Sequence, residues 1–320
     1  MGESVKGKNA VVTGSSHGVG RAVAMALAAE GANVVVNGSG AGPEGPGTEL
    51  GPLNDTVDQI VSRGGVAIAS CGSVADFTYA GRLIATCVDT FGSVDILVNC
   101  AGIPEVGSIV DVPPDTWRRV VDVHLNGTFN CCRHAAPLMA QQWRGRIINT
   151  GSHAFLGIYG GTGYAAAKGG IISLTRAMAR DLAEYGVTCN VFCPGAKTRL
   201  SSGEAYEEKI RLLFAKGWLN ETRRDGGLHP PPPECVTPLV LYLATDEAAN
   251  ISGHVFVVAG GYVGLFPEPQ EQRLAWKDYR KDGSWTVDEL ATLLPAQLGL
   301  DRVKPGDHHP GETERGLVSR

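Results

Sequence analysis

The stretch Asn9-Ala-Val-Val-Thr13-Gly14-Ser15-Ser16-His17-Gly18-Val19-Gly20 decides the fold of this chain. A short apolar and β-branched run leads directly into a Gly-x-x-x-Gly-x-Gly turn, and an amphipathic stretch from Gly18 to Glu30 follows. Glycines in such a turn let backbone approach a bound group closely. The helix that opens there offers unpaired N–H groups and the positive end of its dipole. Strand, spacing and helix in succession point to a pyrophosphate-binding turn made by Gly14, Ser16, His17, Gly18, Val19 and Gly20. The plainer reading is a Gly-rich strand-to-helix turn without a ligand.

Outward from this unit, β-branched runs alternate with amphipathic helical stretches, the pattern of a parallel sheet covered on both faces. Strands are predicted at Asn9–Thr13, Asn33–Asn37, Val66–Ser70, Ile96–Asn99, Arg146–Thr150, Thr188–Cys193 and Val255–Val258. Helices are predicted at Gly18–Glu30, Leu53–Arg63, Tyr79–Phe91, Pro114–Gln142 and Gly163–Tyr185, with a shorter pair at Ala205–Lys216 and Glu234–Thr245. The expected fold class is α/β: a doubly wound parallel sheet of seven strands, helices on both faces, in one domain over residues 1–263. Gly38–Pro52 reads as a long Gly/Pro-rich loop. Residues 199–233 read as a covering segment with a stiff hinge, because His229 is followed by four prolines. Residues 264–300 form a C-terminal extension, expected to dock Trp276, Tyr279, Trp285, Leu290, Leu293 and Leu294 on the main body. Thr286-Val-Asp-Glu289 there looks like a helix start. Residues 301–320 read as a mobile tail.

Bulk properties remove several function classes. With 320 residues, 43% hydrophobic and 19% charged, the composition is that of an ordinary globular chain. A net charge of -5 argues against a nucleic-acid or anionic-membrane surface. The eight cysteines form no C-x-x-C pair and lie mostly in apolar segments, so buried thiols are expected and a metal site is not. Neither a leader, nor a membrane span, nor a peroxisomal C-terminal address is read from the sequence, and a cytoplasmic location is expected.

Chemistry enters with Tyr164-Ala-Ala-Ala-Lys168, twelve positions after Ser152. Helical spacing of four places phenol and ammonium on one face, one turn apart. The Lys charge is expected to lower a phenol pKa that is ~10 in free Tyr, so that Tyr164 trades protons near neutral pH. That is what interconversion of a carbonyl and an alcohol needs. Asn99-Cys100-Ala101-Gly102 closes the fourth strand with small residues that would let a ribose or flat ring lie close, or form only a tight turn. An acid at the end of the second strand would bind adenosine ribose hydroxyls and repel a 2′-phosphate. Here the sequence reads Val36-Asn37-Gly38-Ser39, with no acid. With His17 nearby, NADP(H) is favoured over NAD(H), while neutral hydroxyl binding by Asn37 or Ser39 keeps NAD(H) open.

Together these segments resemble the short-chain dehydrogenase/reductases, across residues 6–263 and in the right order. Within that family the chain looks most like the hydroxyacyl-CoA dehydrogenase domain of multifunctional β-oxidation enzymes. Arg146-Ile-Ile-Asn-Thr-Gly-Ser152, Ala196-Lys-Thr-Arg-Leu-Ser201 and Val236-Thr-Pro-Leu-Val-Leu-Tyr-Leu243 carry that closer likeness. The resemblance implies a Rossmann sheet and assigns roles. Tyr164 is general acid in reduction and base in oxidation, Lys168 lowers its pKa and holds the nicotinamide ribose, and Ser152 hydrogen-bonds the substrate oxygen. Pro194, Gly195 and Thr198 would meet the nicotinamide end. Asn99, Ala101 and Gly102 belong to the same cofactor face. The family's helix Asn aligns with His124, either a proton-relay group or a core imidazole. Its adenine-contacting acid aligns with Gly72, leaving backbone N–H groups at Ser73 and Val74. The Ser-to-Tyr spacing is one residue shorter than usual.

The expected function is an NAD(P)(H)-dependent oxidoreductase that interconverts a ketone and a secondary alcohol on an apolar or amphipathic substrate. Leu200, Ile210, Leu212, Leu213, Phe214 and Trp218 of the covering segment supply the apolar character. The alternatives are a 3-hydroxyacyl-CoA dehydrogenase, with Lys209, Arg211, Lys216, Arg223 and Arg224 meeting a phosphorylated handle, and a non-catalytic nucleotide-binding regulator. The apolar helix Gly163–Tyr185 and its family pairing point to a homo-oligomer, tetramer or dimer.

Overall fold

The computed structural model describes residues 3–40, 50–104, 107–158, 160–199, 201–271 and 274–297. Strands β1 (Asn9–Thr13), β2 (Asn33–Gly38), β3 (Val66–Cys71), β4 (Ile96–Asn99), β5 (Gly145–Thr150), β6 (Val187–Gly195) and β7 (Val255–Ala259) pair in parallel. Their order is β3-β2-β1-β4-β5-β6-β7, so the chain reverses its winding at β1 and β4. In a doubly wound sheet that switch opens a crevice above the strand ends. Side-chain alternation explains why both faces are dry. Ala10 and Val12 point into one core layer and Val11 into the other, and all three are fully buried. Helices α1 (Gly18–Ala29) and α2 (Gly51–Ser62) cover the first face with Val23, Leu27, Leu53 and Ile60. The opposite face carries α3 (Phe77–Phe91), with Leu83 and Ile84 in its core.

The long helix predicted over Pro114–Gln142 is divided. It starts as α4 (Pro114–Val121), widens into a π-turn at Asp122–Asn126, and resumes as α5 (Gly127–Gln142). The π-turn accommodates one extra residue and turns His124 inward, where it is 2% exposed. Thr128 Oγ1 donates to the His124 carbonyl at 2.7 Å, a partner for a carbonyl in the widened turn. Helix α6 (Thr162–Asp181) ends four residues before the predicted Tyr185. Ala183–Tyr185 is a separate tight turn closed by Gly186 at φ 66°.

The covering segment holds α7 (Glu204–Ala215) and an unpredicted α8 (Glu221–Leu228). Gly226 and Gly227 concealed α8, since glycine is a poor helix former, whereas Asn220 caps it by accepting from Arg223 N at 2.9 Å. The last covering helix is α9 (Thr237–Ala244), packed through Val240 and Leu243 on the α1 face.

Among the described residues the sheet has eight strands, one more than expected. Strand β8 (Tyr262–Phe266) folds back antiparallel on β7, from Ala259↔Tyr262 to Val255↔Phe266. Its connection is Gly260-Gly261, a two-residue hairpin turn with Gly260 at φ 56°. The boundary expected at residue 263 therefore falls inside a strand. Beyond it lie α10 (Tyr279–Asp282) and α11 (Val287–Gln297). Glu289 N donates to Thr286 Oγ1 and Thr286 N to Glu289 Oε2, a reciprocal cap as the sequence suggested. The expected docking of the aromatic residues does not occur: Trp276 and Tyr279 are 70% and 67% exposed, and Trp285 and Leu294 are also exposed. The tail 301–320 and Leu200 lie outside the described residues. No helix among the described residues is long and apolar enough to cross a membrane, and none of their His, Cys, Asp or Glu groups forms a metal cluster.

Candidate active site

Gly14 and Gly18 have φ of 63° and 54°, backbone that side chains disfavour. A Cβ on Gly14 would stand 2.6 Å from Ala101 Cα, and one on Gly20 would overlap the Gly14 carbonyl. The turn is thus stripped to backbone where a diphosphate would approach the N-terminus of α1. Thr13 Oγ1 accepts from Cys100 N (3.0 Å) and Ala101 N (3.1 Å), fixing the 99–102 turn against it. Ser15 Oγ donates to Val12 O at 2.7 Å. These residues fit a dinucleotide, with the glycine cradle as the observation that tests the fit.

One contact at this turn was not expected. Arg199 Nη2 donates to His17 Nδ1 at 3.1 Å, bringing the loop after β6 and a cationic side chain to the turn. Thr198 belongs to that loop, and its Cγ2 lies 3.3 Å from where a Gly18 Cβ would sit. Pro194 and Gly195 close β6 just before it. No local pattern marks Arg199, because its partner is 182 positions away.

Asn37 is placed differently from expectation. It is 1% exposed; its Oδ1 accepts from Gly14 N at 3.4 Å, and its Nδ2 donates to Ser70 O, Gly72 O and Tyr79 Oη at 3.1–3.2 Å. The amide ties the Gly-rich turn to β3 instead of facing a ribose. Around it the rim lacks side chains. A Cβ on Gly38 would overlap Ser16 Oγ, and one on Gly72 would overlap the Tyr79 ring. Ser73 Oγ accepts from Ala75 N, and the Val74 carbonyl accepts from Asn130 Nδ2, so both are held in place beside this rim. Asn99 likewise turns inward, donating to Asn149 Oδ1 at 2.8 Å.

Ser152, Tyr164, Lys168 and His124 converge. Ser152 follows β5 and caps a single tight turn, His153–Leu156, with Oγ accepting from Ala154 N at 3.1 Å. Tyr164 and Lys168 occupy the first turns of α6. Lys168 is 3% exposed, and its Nζ donates to the Thr150 carbonyl at 2.6 Å while standing 5.5 Å from the Tyr164 ring centre. His124 meets the same ring edge-on at 5.0 Å. Its Nε2 faces both Ile103 N (3.0 Å) and Ile103 O (2.9 Å), and its buried Nδ1 has no partner among the described residues.

Electrostatics correct the expected tuning. Burial pushes the Tyr164 phenol up to about 12, outweighing the Ser152 hydrogen bond that draws it down. Burial also lowers the Lys168 ammonium to about 8, partly offset by Cys193 and Cys100. The ammonium gives one hydrogen bond to Thr150 O and is not among the influences that move the phenol, so burial dominates. His124 is lowered to about 3 by burial, with the Lys168 charge adding to it, and is a neutral imidazole at physiological pH.

In the segment expected to cover the site, Ile210, Leu213 and Leu219 form a core of their own with Ile158, Tyr206, Phe214 and Leu228. Leu212 and Trp218 instead face solvent. Two of the cations expected to meet a phosphorylated handle are already paired, Arg211 with Glu207 and Arg224 with Asp225, each at 2.8 Å. Lys216 lies over Trp218.

The family model of the short chain dehydrogenases matches residues 8–207. This chain belongs to that family. It is therefore an oxidoreductase of the NAD(P)-dependent class acting on CH–OH groups. It is 36% identical over 312 residues to the hydroxyacyl-CoA dehydrogenase ChsB1 of Mycobacterium tuberculosis, covering 93% of this chain and 90% of that one. Its identity to peroxisomal multifunctional enzyme type 2 of Drosophila melanogaster is 38% over 257 residues, 79% of this chain but 39% of that longer protein. A short chain dehydrogenase from Mycobacterium avium superposes with a TM-score of 0.76 at 35% identity, covering 94% of this chain and 98% of the other.

Proposed function

We propose that the protein interconverts a ketone and a secondary alcohol on an apolar or amphipathic substrate, with Tyr164 as the proton-transfer group and NADP(H) preferred over NAD(H). The observation that carries this reading is the Tyr164 ring set between Lys168 Nζ at 5.5 Å and His124 at 5.0 Å, with Ser152 beside it. The dinucleotide, when bound, supplies or accepts the hydride. Gly14, Ser16, His17, Gly18, Val19 and Gly20 hold its diphosphate, and Lys168 and Thr198 face its nicotinamide half. Gly38, Ser73, Val74, Ala101 and Gly102 line the rest of the groove. Tyr164 Oη gives its proton to the substrate oxygen in reduction and takes it back in oxidation. Ser152 Oγ donates to the same oxygen as charge gathers there. The cover excludes water. The neutral rim at Gly38 and Gly72, which carry no acid to repel a 2′-phosphate, supports NADP(H).

A second reading, 3-hydroxyacyl-CoA dehydrogenase, draws support from ChsB1, whose likeness spans 93% of this chain. Arg211 and Arg224, already ion-paired, weaken it. Assays of NADH and NADPH consumption with simple ketones, steroids and 3-oxoacyl thioesters separate the two. Turnover of thioesters alone, inhibited by free CoA, selects the second. Dinucleotide binding without turnover of any of them contradicts both and returns the protein to a nucleotide-binding regulator.

A further inference from the structure

We infer that Phe266, the last residue of β8, is a positioning residue that holds the turn carrying Ser152 in its working place. This rests on the reading of Ser152 as the donor to the substrate oxygen. The Phe266 ring meets Phe155 edge-to-face at 4.9 Å and 87°, and His153 at 5.6 Å and 70°. Both contacts fall on the tight turn His153–Leu156 that Ser152 caps. That turn has little strength of its own. Its internal support is Ala154 N to Ser152 Oγ, Phe155 N to Ser152 O (3.2 Å) and Gly157 N to Ala154 O (2.9 Å). Isolated turns of this size do not persist without tertiary support.

Phe266 provides that support from a fixed base. It pairs with Val255 in the hairpin register and joins a cluster with Ile172, Val191, Cys193, Val255 and Val257. Ile172 lies one turn beyond Lys168 on α6, so the ring that touches the Ser152 turn shares a core with the helix of Tyr164 and Lys168. Two residues on, Glu268 is tied to Arg180 of α6 at 2.8 Å. The ring also lines an open cleft of about 260 Å³ together with Arg176, Ala179 and Leu265. Loss of the ring would widen this cleft and leave Phe155 without its edge-to-face partner.

Hydrogen exchange tests this without relying on catalysis. In Phe266→Ala, the amides of Ala154, Phe155 and Gly157 should exchange at least about tenfold faster, those of β1 and α1 remaining as in wild type. Phe266→Tyr should restore protection, and Val263→Ala, on the exposed side of the same strand, should leave it unchanged. If Phe266→Ala does not fold, Phe266→Leu, which keeps apolar bulk but not the ring, should show the same local acceleration. With a ketone that wild type reduces, kcat should fall about tenfold or more while KM for the dinucleotide stays within about twofold. Unchanged exchange over residues 154–157, or equal acceleration throughout the sheet, overturns the inference. Absence of wild-type turnover would strike the proposed reaction and leave the exchange result to decide the brace.

Discussion

Lys168 Nζ stands 5.5 Å from the centre of the Tyr164 ring yet gives its hydrogen bond to the Thr150 carbonyl at 2.6 Å. Burial, and not that ammonium, sets the proton affinity of Tyr164, pushing it up to about 12. At neutral pH the phenol is ready to donate and seldom able to accept. Reduction should be nearly independent of pH, whereas log kcat for alcohol oxidation should rise with about unit slope between roughly pH 7 and 10. An oxidation rate that levels off below about pH 8 would show that the phenol is tuned downward instead.

His124 should make stability depend on acid. Its folded pKa, about 3, lies below the ordinary 6.5. Between these values the unfolded chain binds the proton and the folded one does not, so stability falls as pH drops through this window and is unaffected above it. At about 1.4 kcal/mol per unit, the loss from pH 7 to pH 4 is roughly 3 kcal/mol. Urea unfolding at the two pH values should show that difference reduced by a comparable amount in His124→Asn. An identical pH dependence in the variant would contradict the burial argument.

The strand-to-helix turn at Thr13–Gly20 and the pairing of Tyr164 with Lys168 were legible because each rests on local spacing along a strand or helix. The first seven strands were legible too, from buried β-branched runs such as Val34-Val35-Val36. The π-turn around His124 was not, since α and π turns draw on the same residues. Strand β8 had a local sign, Gly260-Gly261 between apolar residues, which the reading treated as the end of the domain. The inward turn of Asn37, the reach of Arg199 to His17 and the raised Tyr164 pKa depend on neighbours far along the chain. No spacing rule encodes them.

Cofactor choice should follow the rim at Ser16 and Gly38. NADPH should exceed NADH in kcat/KM by about tenfold. A Cβ at position 38 would meet Ser16 Oγ, so the hydroxyl must rotate aside to admit an acid. Gly38→Asp should shift preference towards NADH by repelling the 2′-phosphate, and Ser16→Gly with Gly38→Asp should do so with less loss of affinity. A wild-type preference for NADH of about tenfold or more contradicts the assignment.

Assembly is a further expectation. Helices α5 and α6 are proposed to pair across subunits, giving a homo-oligomer, a tetramer or a dimer. Light scattering behind a sizing column should give two or four times the 33.6 kDa chain mass. An active species at the mass of one chain would refute it.

The central claim is that Tyr164 moves the proton. Its most direct test compares wild type with Tyr164→Phe on one ketone under saturating NADPH, alongside dinucleotide binding followed by fluorescence. Turnover should fall about 10²–10⁴-fold with binding nearly unchanged, the usual contribution of one proton-transfer group. A Phe variant that retains more than about a tenth of wild-type turnover would contradict the account.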